Sequence, residues 1–233
     1  MKKKITALMF VVIVFAAVFC FSACKKTEDT TVPEQTSADE LSYIAAEQGI
    51  CVLSAYRIKA DTEGTSLSDS DDAAGIIVYN DSSKTLQYAE IVASFQGGIT
   101  HIYKITTLPP GESCFVSEEN NAPYRELTDG FFGFDFKSIA FFAEEPSIHS
   151  DKFQFSGADG ILNIKNISDS DITDNIVVYY KDYANTQLSS GKTYRVTVEG
   201  GLKSGEIKQL AAAHYKQSGS IIMFVQLVPQ EVS

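Results

Sequence analysis

The sequence predicts an all-β protein composed of two tandem antiparallel β-sandwich modules. From residue 50 onward, short runs rich in Val, Ile, Tyr and Phe alternate with clusters of Gly, Asn, Asp, Ser and Pro. This pattern is typical of antiparallel strands separated by turns. Strand-like runs of this kind fill residues 50–145 and again residues 146–233. Each segment is close to the roughly 100 residues of an immunoglobulin-like sandwich, which we therefore predict for both modules.

An internal repeat supports this division into modules. At an offset of 86 residues, Asn80 aligns with Asn166, each at the end of an apolar run and before a turn rich in Ser and Asp. Farther along, Leu-Pro-Pro-Gly-Glu at 108–112 aligns with Leu-Lys-Ser-Gly-Glu at 202–206, at an offset of 94. The offset grows because the second copy has a longer hairpin at 183–192.

The shared asparagine of the two copies has two interpretations. Asn side chains bond to nearby backbone and tolerate left-handed geometry, so Asn80 and Asn166 are predicted to lock the turns that follow them. Asn80-Asp81-Ser82 and Asn166-Ile167-Ser168 also fit the acceptor pattern for N-linked glycosylation. The sequence alone favours the structural interpretation, because the acceptor pattern is frequent by chance.

Residues 1–23 have the pattern of an export signal. Lys2, Lys3 and Lys4 precede an apolar run from Ile5 to Phe21, and the small residues Ser22 and Ala23 follow. A transmembrane helix is the alternative, since roughly 17 to 25 apolar residues span a bilayer. Both interpretations place the rest of the chain outside the cytoplasm.

The residue after the small pair is Cys24, and Phe21-Ser22-Ala23-Cys24 resembles the lipobox of bacterial lipoproteins, with Phe21 in place of the usual Leu. The resemblance implies that residues 1–23 are a lipoprotein signal peptide. It also implies that Cys24 becomes the acylated, palmitate-type N-terminus that anchors the chain to the cell membrane. Two or three acyl chains would hold firmly, because each buried methylene contributes about 0.8 kcal/mol.

Two short segments connect the anchor to the first module. Residues 24–38 contain little apolar surface and are predicted to be a flexible tether. Residues 39–49 are predicted to form a short helix, with Ser37 and Glu40 at capping-box spacing and Gly49 as its C-cap.

The charge of the chain restricts its partners. The formal net charge is −11 and becomes −14 once the three lysines of the signal segment are removed. Such an acidic surface repels phosphate backbones, so nucleic-acid binding is not expected. Attachment to the membrane is expected to depend on the lipid at Cys24.

Cys51 and Cys114 are the two cysteines within the predicted modules. An exported protein can form a disulfide between them. Each also lies in an apolar run, where a free cysteine behaves as a small buried hydrophobe. Both alternatives remain open, because spacing alone does not show whether the two Cα atoms approach each other.

The order of motifs in each module resembles a known family. An apolar strand is followed by Asn and a Ser/Asp-rich turn, then by a strand ending in VVYYKD (177–182) and by Leu-x-x-Gly-Glu. This order resembles the FxLYD-type sandwich modules of uncharacterised Gram-positive lipoproteins. The first copy departs from it at ASFQGG (93–98). The resemblance implies a fold and an extracytoplasmic location, and no activity, cofactor or ligand.

Residues that could support catalysis or metal binding are sparse. His101, His149 and His214 are far apart and are expected at exposed or strand-end positions. SSGKT (189–193) lacks the context of a phosphate loop and is predicted to be a polar hairpin tip. The Asp-rich turns at 66–75 and 167–175 do not match a calcium loop, although loops of sandwich domains sometimes bind calcium. We therefore predict no catalytic residue, no cofactor and no metal site.

Aromatic residues are the candidates for recognition. In DGFFGFDF (129–136), alternation places Phe132, Phe134 and Phe136 on one face of a strand, with Phe131 on the other. Such stripes are usually core. As a recognition surface we select Phe131, Phe132, Phe134 and Tyr183, in strands whose tyrosines, including Tyr179, Tyr180 and Tyr194, could stack on sugars.

The sequence therefore predicts a lipid-anchored extracytoplasmic protein that functions in binding, adhesion or envelope assembly without catalysis. Its expected partners are the membrane, through Cys24, and a protein or glycan at the cell surface. The alternative is a hydrolase that acts on cell-envelope material.

Overall fold

The structure is a computed structural model that describes residues 43–59, 72–120, 122–184 and 187–230. These residues form strands and turns with no helix, which confirms the all-β class. Accordingly, these ranges contain no helix long and apolar enough to cross a membrane. The predicted signal peptide, the tether and Cys24 lie outside the described residues.

The strands are named here in chain order. They are β1 (Ala45–Glu47), β2 (Ile50–Lys59), β3 (Asp72–Asn80), β4 (Leu86–Phe95), β5 (Ile99–Leu108), β6 (Ser113–Ser117), β7 (Phe131–Phe141), β8 (Phe153–Ala158), β9 (Ile161–Asn166), β10 (Asn175–Ala184), β11 (Gln187–Leu188), β12 (Tyr194–Val198), β13 (Ile207–Ala211) and β14 (Ser220–Val228).

The helix predicted for residues 39–49 is wrong in the part that the structure describes. Ala45–Glu47 is strand β1, which pairs antiparallel with the start of β2. Gln48 and Gly49 join the two strands, with φ angles of 51° and 80°. Positive φ at both central residues defines a turn whose twist matches a hairpin. Gly49 therefore provides left-handed geometry for this turn and not for the predicted helix cap.

The two halves of the chain have the same strand pairing. In the first half β3 lies between β2 and β6, and β4 lies between β5 and β7. In the second half β9 lies between β8 and β13, and β10 lies between β12 and β14. Each half is thus built from two three-stranded antiparallel sets in the same chain order, with β1 and β11 as additions.

Each half has its own hydrophobic cluster, to which both of its sets of strands contribute. In the first half, Ile76 and Val78 of β3 share a cluster with Ile91 of β4 and Ile105 of β5. In the second half, Leu162 and Ile164 of β9 cluster with residues of β10 and β14, including Ile176, Val178 and Val225. Because facing sheets bury one side of each strand, the side chains alternate between buried and partly buried along most of β5 and along β9.

Asn80 and Asn166 lock equivalent turns with equivalent hydrogen bonds. Nδ2 of Asn80 donates to the carbonyl oxygens of Lys84 (2.9 Å) and Leu108 (2.7 Å). Its Oδ1 accepts from the backbone N–H (3.0 Å) and hydroxyl (2.6 Å) of Ser82. Both asparagines are fully buried. The predicted turn lock is therefore present in the first half.

The second half repeats this arrangement atom for atom. Nδ2 of Asn166 donates to the carbonyl oxygens of Ser170 (2.8 Å) and Leu202 (3.1 Å). Its Oδ1 accepts from the backbone N–H and the hydroxyl of Ser168. The amide nitrogen to which a glycan would be attached is thus buried and bonded in both copies, which argues against the glycosylation interpretation.

Cys51 and Cys114 are both buried and free. Cys51 aligns with Tyr79 of β3, whereas Cys114 aligns with the adjacent residue Val78 and belongs to the first hydrophobic cluster. The two cysteines therefore lie on strands separated by β3 and point to opposite faces of the sheet. Side chains on opposite faces do not meet the geometry of a disulfide.

Candidate functional site: a cleft between the two halves

The residues selected as a recognition surface do not form one surface. Phe131 and Phe134 contact each other, with ring centroids 5.1 Å apart, and both pack against the first hydrophobic cluster. Phe132 is 74% exposed. Phe131 pairs with Phe95, which is next to the β4–β5 turn. Among these three residues, only Phe132 offers an open side chain.

A β-bulge explains why the predicted alternation fails at this point. Ser94 pairs with Gly133 and the next residue, Phe95, pairs with Phe131, so Phe132 is an extra residue in β7. An extra residue shifts the alternation of side chains by one position. Phe131 therefore turns inward with Phe134 and Phe136, and Phe132 turns outward. Alternation in the sequence does not reveal an inserted residue of this kind.

Tyr183 belongs to β10 of the second half and lies against the other end of the first half. It lines a small groove of about 190 Å³ with Pro109 and Pro110, which follow the last residue of β5. Phe131 lies near the first residue of β5, because β4 carries its partner Phe95 and pairs with β5 there. About ten residues of extended strand separate the two ends, roughly 30 Å at 3.3 Å per residue.

The histidines lie far apart, as predicted; His214 is exposed, whereas His101 is buried, contrary to the prediction. His101 is buried in β5, next to the ring of Phe95 at 4.9 Å, and burial lowers its pKa. His214 stacks on Tyr194 at 4.3 Å. Across the part of the chain that the structure describes, no three His, Cys, Asp or Glu side chains gather closely enough to hold a metal ion.

The segment that was predicted as a polar hairpin tip packs against the first half. We call residues 187–193 the strap. Leu188 is buried in the first hydrophobic cluster and pairs in parallel with Cys114 of β6. The carbonyl of Gly191 accepts the backbone N–H of Thr106 at 2.9 Å. The strap therefore joins the sheets of the two halves.

Gly191 is required by the close approach of the strap to the first half. A Cβ atom at this position would lie 2.5 Å from the carbonyl oxygen of Lys104 and 2.9 Å from Cγ1 of Val116. Two hydroxyls complete the contact, since Oγ1 of Thr106 donates to Oγ1 of Thr193 at 2.9 Å. Any larger residue at position 191 would force the two halves apart.

A buried lysine lies behind the strap. The Lys181 side chain is fully buried. Its Nζ donates to the carbonyl oxygens of Thr106 (2.7 Å), Thr107 (3.3 Å) and Gly191 (3.3 Å), and Sγ of Cys114 lies 3.9 Å away. Burial lowers the pKa of Lys181, and the neighbouring Cys114 acts in the opposite direction. Lys181 thus satisfies backbone groups from both halves.

Thr107 has a strained backbone at this contact. Its φ is 52°, in the left-handed region that β-branched residues rarely occupy. This conformation accompanies the hydrogen bond from Lys181 to the Thr107 carbonyl. Thr107 and Thr106 also line an opening between the two halves. The strained residue therefore lies at the wall of a cleft.

The cleft has a volume of about 740 Å³, which is within the usual range for small-molecule sites. Aromatic side chains form its floor. The rings of Tyr179 and Phe224 stack in parallel with centroids 4.2 Å apart and an interplanar angle of 11°. Phe142 meets Phe224 edge-on at 5.3 Å. Tyr179 and Phe224 are cross-strand partners on β10 and β14, which fixes their position.

Polar side chains surround this floor. The Tyr179 hydroxyl donates to Oε1 of Gln226 at 3.2 Å, which leaves the NH₂ group of that amide directed away from the tyrosine. Gln87 contributes a second amide, and Glu144 and Glu145 contribute carboxylates. Glu145 also accepts a hydrogen bond from the hydroxyl of Thr85. The lining contains no Lys, Arg or His.

Sequence reasoning noted Tyr179 among several tyrosines but did not identify the cleft. The alternation of Val177, Tyr179 and Lys181 in β10 indicates one face of that strand, yet it does not indicate what covers the face. The structure covers its Lys181 end with the first half and leaves the Tyr179 end open to the cleft.

Comparison with protein-family models, characterised proteins and solved structures finds no match for the chain.

Proposed function

We propose that the chain is a lipid-anchored extracytoplasmic protein of two tandem immunoglobulin-like modules that binds a ligand without catalysis. The observation that carries this proposal is the cleft between the halves, with its stacked aromatic floor and its rim of amides and carboxylates. Concave sites that combine aromatic surface with a few polar groups are typical of ligand binding. The FxLYD-type resemblance supports the modules and the location in this proposal, and implies no activity.

The strap supports binding by making the cleft a fixed structure. The strap, through Gly191 and Thr193, and Lys181 of β10 together hold Thr106 and Thr107 of the first half against the second. A cleft whose walls are already in place loses less conformational entropy when a ligand binds. The lining contains no histidine, cysteine or serine. The groups in it that could act as a base in hydrolysis are the carboxylates of Glu144 and Glu145.

Binding is tested with envelope material that hot detergent has freed of membrane. We expect the full chain, in mild detergent, to sediment with this material. Ala143→Trp places an indole in the cleft and is expected to reduce the bound fraction at least fivefold. Ala158→Trp, an exposed strand alanine outside the cleft, is the matched control. Unchanged sedimentation of Ala143→Trp would contradict a role for the cleft, and release of soluble fragments would favour the hydrolase.

The anchor is tested by Cys24→Ala. Because only the cysteine after Ser22-Ala23 fits the predicted cleavage site, this variant is expected to incorporate no labelled fatty acid in growing cells. Cys51→Ala, which removes a buried cysteine, is the control and is expected to be labelled normally. Labelling that persists in Cys24→Ala would show that another group carries the anchor.

A further inference from the structure

We propose that the cleft recognises an oligosaccharide without acidic groups, an inference that rests on the proposed binding function and names its ligand class. The sugar rings would lie against the aromatic floor, and their hydroxyls would bond to the amides and carboxylates of the rim. Four features of the cleft lead to this inference: its aromatic geometry, its polar rim, its charge and the state of the neighbouring strand edge.

Tyr179 has the geometry of a stacking platform. Phe224 covers one face of its ring, and the hydroxyl is held by Gln226. In the described residues, no second aromatic ring pairs with Tyr179, and Arg195, its partner on β12, makes no cation–π contact with the ring. Aromatic side chains with one apolar face and one polar end suit ligands that are themselves apolar on one side and polar at the edges. The C–H face and hydroxyl edge of a sugar ring have this character.

The rim provides planar groups that suit adjacent hydroxyls. Gln87 and Gln226 each offer a donor and an acceptor within one planar amide, and Glu144 offers two acceptors. Neighbouring hydroxyls of a sugar present donors and acceptors at short spacing. One planar side chain can therefore bond to two of them at once, as planar groups do with other bidentate partners.

The carboxylates of the cleft disfavour acidic ligands. Glu144 and Glu145 line it, and its lining contains no basic side chain. The whole chain also has a formal net charge of −11. A uronic acid or phosphate would therefore be repelled on the side of the cleft formed by Glu144 and Glu145, whereas the exposed Arg195 lies beside Tyr179 on β12. Neutral sugars are compatible with this lining, and amino sugars with a free ammonium group would be attracted to it.

An extended peptide is disfavoured as the ligand. Peptides commonly bind by adding a strand to an open sheet edge. Beside the cleft, the edge of β14 is occupied at Val225, whose backbone N–H donates to the carbonyl of Ser147 at 2.8 Å. The backbone of a peptide could not pair with the N–H of Val225 without displacing Ser147. The available groups are side chains, which suits a ligand that has no repeating backbone amides.

The test is calorimetric titration of the full chain in mild detergent with three defined hexasaccharides. These are the hexamer of N-acetylglucosamine, the hexamer of glucosamine and the hexamer of galacturonic acid. We expect one or both of the first two to bind and the third not to bind. Preference for the glucosamine hexamer that disappears in Glu144→Gln would identify the free amine as the recognised form, and preference for the acetylated hexamer would identify the neutral form.

Two variants and a control locate the binding. Tyr179→Ala is expected to weaken binding at least tenfold, and Gln87→Ala, an exposed residue with little effect on folding, severalfold. Tyr56→Ala replaces an exposed tyrosine on β2, outside the cleft, and is expected to bind normally.

Three results would overturn the inference: no binding of either amino-sugar hexamer, equal binding by Tyr179→Ala, and tight binding of the galacturonic acid hexamer. If envelope sedimentation still depends on Ala143 while neither amino-sugar hexamer binds, the ligand class is wrong and the binding function remains. If an amino-sugar hexamer binds through Tyr179 while Ala143→Trp sediments normally, the ligand class holds and binding of envelope material through the cleft is wrong.

Discussion

Lys181→Ala is expected to lower the free energy of unfolding by about 3 kcal/mol. The variant removes a buried side chain of large volume, and truncation to alanine at buried sites costs roughly 2–5 kcal/mol. It also removes the donor to the Thr107 carbonyl, and an unsatisfied buried group costs roughly 1–3 kcal/mol. The measurement is chemical denaturation of the full chain, monitored by tyrosine fluorescence.

Two companion variants separate the causes of this loss. Lys192→Ala replaces an exposed lysine of the strap and is expected to change stability by less than about 0.5 kcal/mol. Lys181→Met keeps most of the volume and removes the charge, so it is expected to cost much less than alanine, because burying the ammonium is itself unfavourable. Equal losses for methionine and alanine would show that the hydrogen bonds, and not the packing, dominate.

The pH dependence of Lys181→Met reports the protonation of the lysine. Because burial lowers the pKa of Lys181, the unfolded chain binds its proton more tightly than the folded chain. The wild-type protein therefore gains stability relative to Lys181→Met as the pH rises from the folded towards the unfolded pKa of the lysine. Burial raises the pKa of the neighbouring Cys114 thiol, which acts in the opposite direction. The comparison is therefore made in a Cys114→Ala background.

Asn166→Ala is expected to destabilise the chain by about 3 kcal/mol. Its fully buried amide makes four hydrogen bonds, and two of them satisfy the carbonyls of Ser170 and Leu202. Those carbonyls keep a second donor each, the hydroxyl of Ser168 and the N–H of Ile172, so the loss is that of the four hydrogen bonds, at roughly 0.5–1.5 kcal/mol for each. Thermal unfolding of the full chain measures the loss.

Asn163→Ala is the matched control for this prediction. Asn163 lies on the same strand, β9, but is only partly buried and is not part of the turn lock. It is expected to cost less than about 1 kcal/mol. Asn80→Ala should resemble Asn166→Ala, because the two locks have equivalent bonds. A loss at Asn166 no larger than that at Asn163 would contradict the importance of the lock.

Parts of the fold were predictable because they depend on residues that are close together in the sequence. Alternation and turn residues indicated the strands, and the spacing of Asn166 from its Ser/Asp-rich turn indicated the lock. These features depend on residues close in sequence. The helix over 39–49 failed for the same reason, because capping residues and Gly49 fit a helix locally, whereas pairing of Ala45–Glu47 with β2 decides the structure.

The candidate site could not be predicted because it depends on contacts between distant residues. Lys181 bonds to Thr106 across 75 positions, and the strap reaches the first half through backbone groups that any sequence possesses. Leu188, an apolar residue in a polar run, was the one local signal that the hairpin packs against something. Phe132 shows that even a local pattern can mislead, because a single inserted residue reversed the predicted faces of β7 at this point.

The strap also affects how the chain avoids aggregation. It pairs with β6 and so covers a strand edge that would otherwise expose unpaired N–H and C=O groups to other chains. The equivalent strand of the second half, β13, pairs within the described ranges with β9 alone, and its Ile207 is 61% exposed. The charged neighbours Glu206 and Lys208 discourage strand addition there. Undocking of the strap would uncover the β6 edge as well, so self-association should increase when the two halves separate.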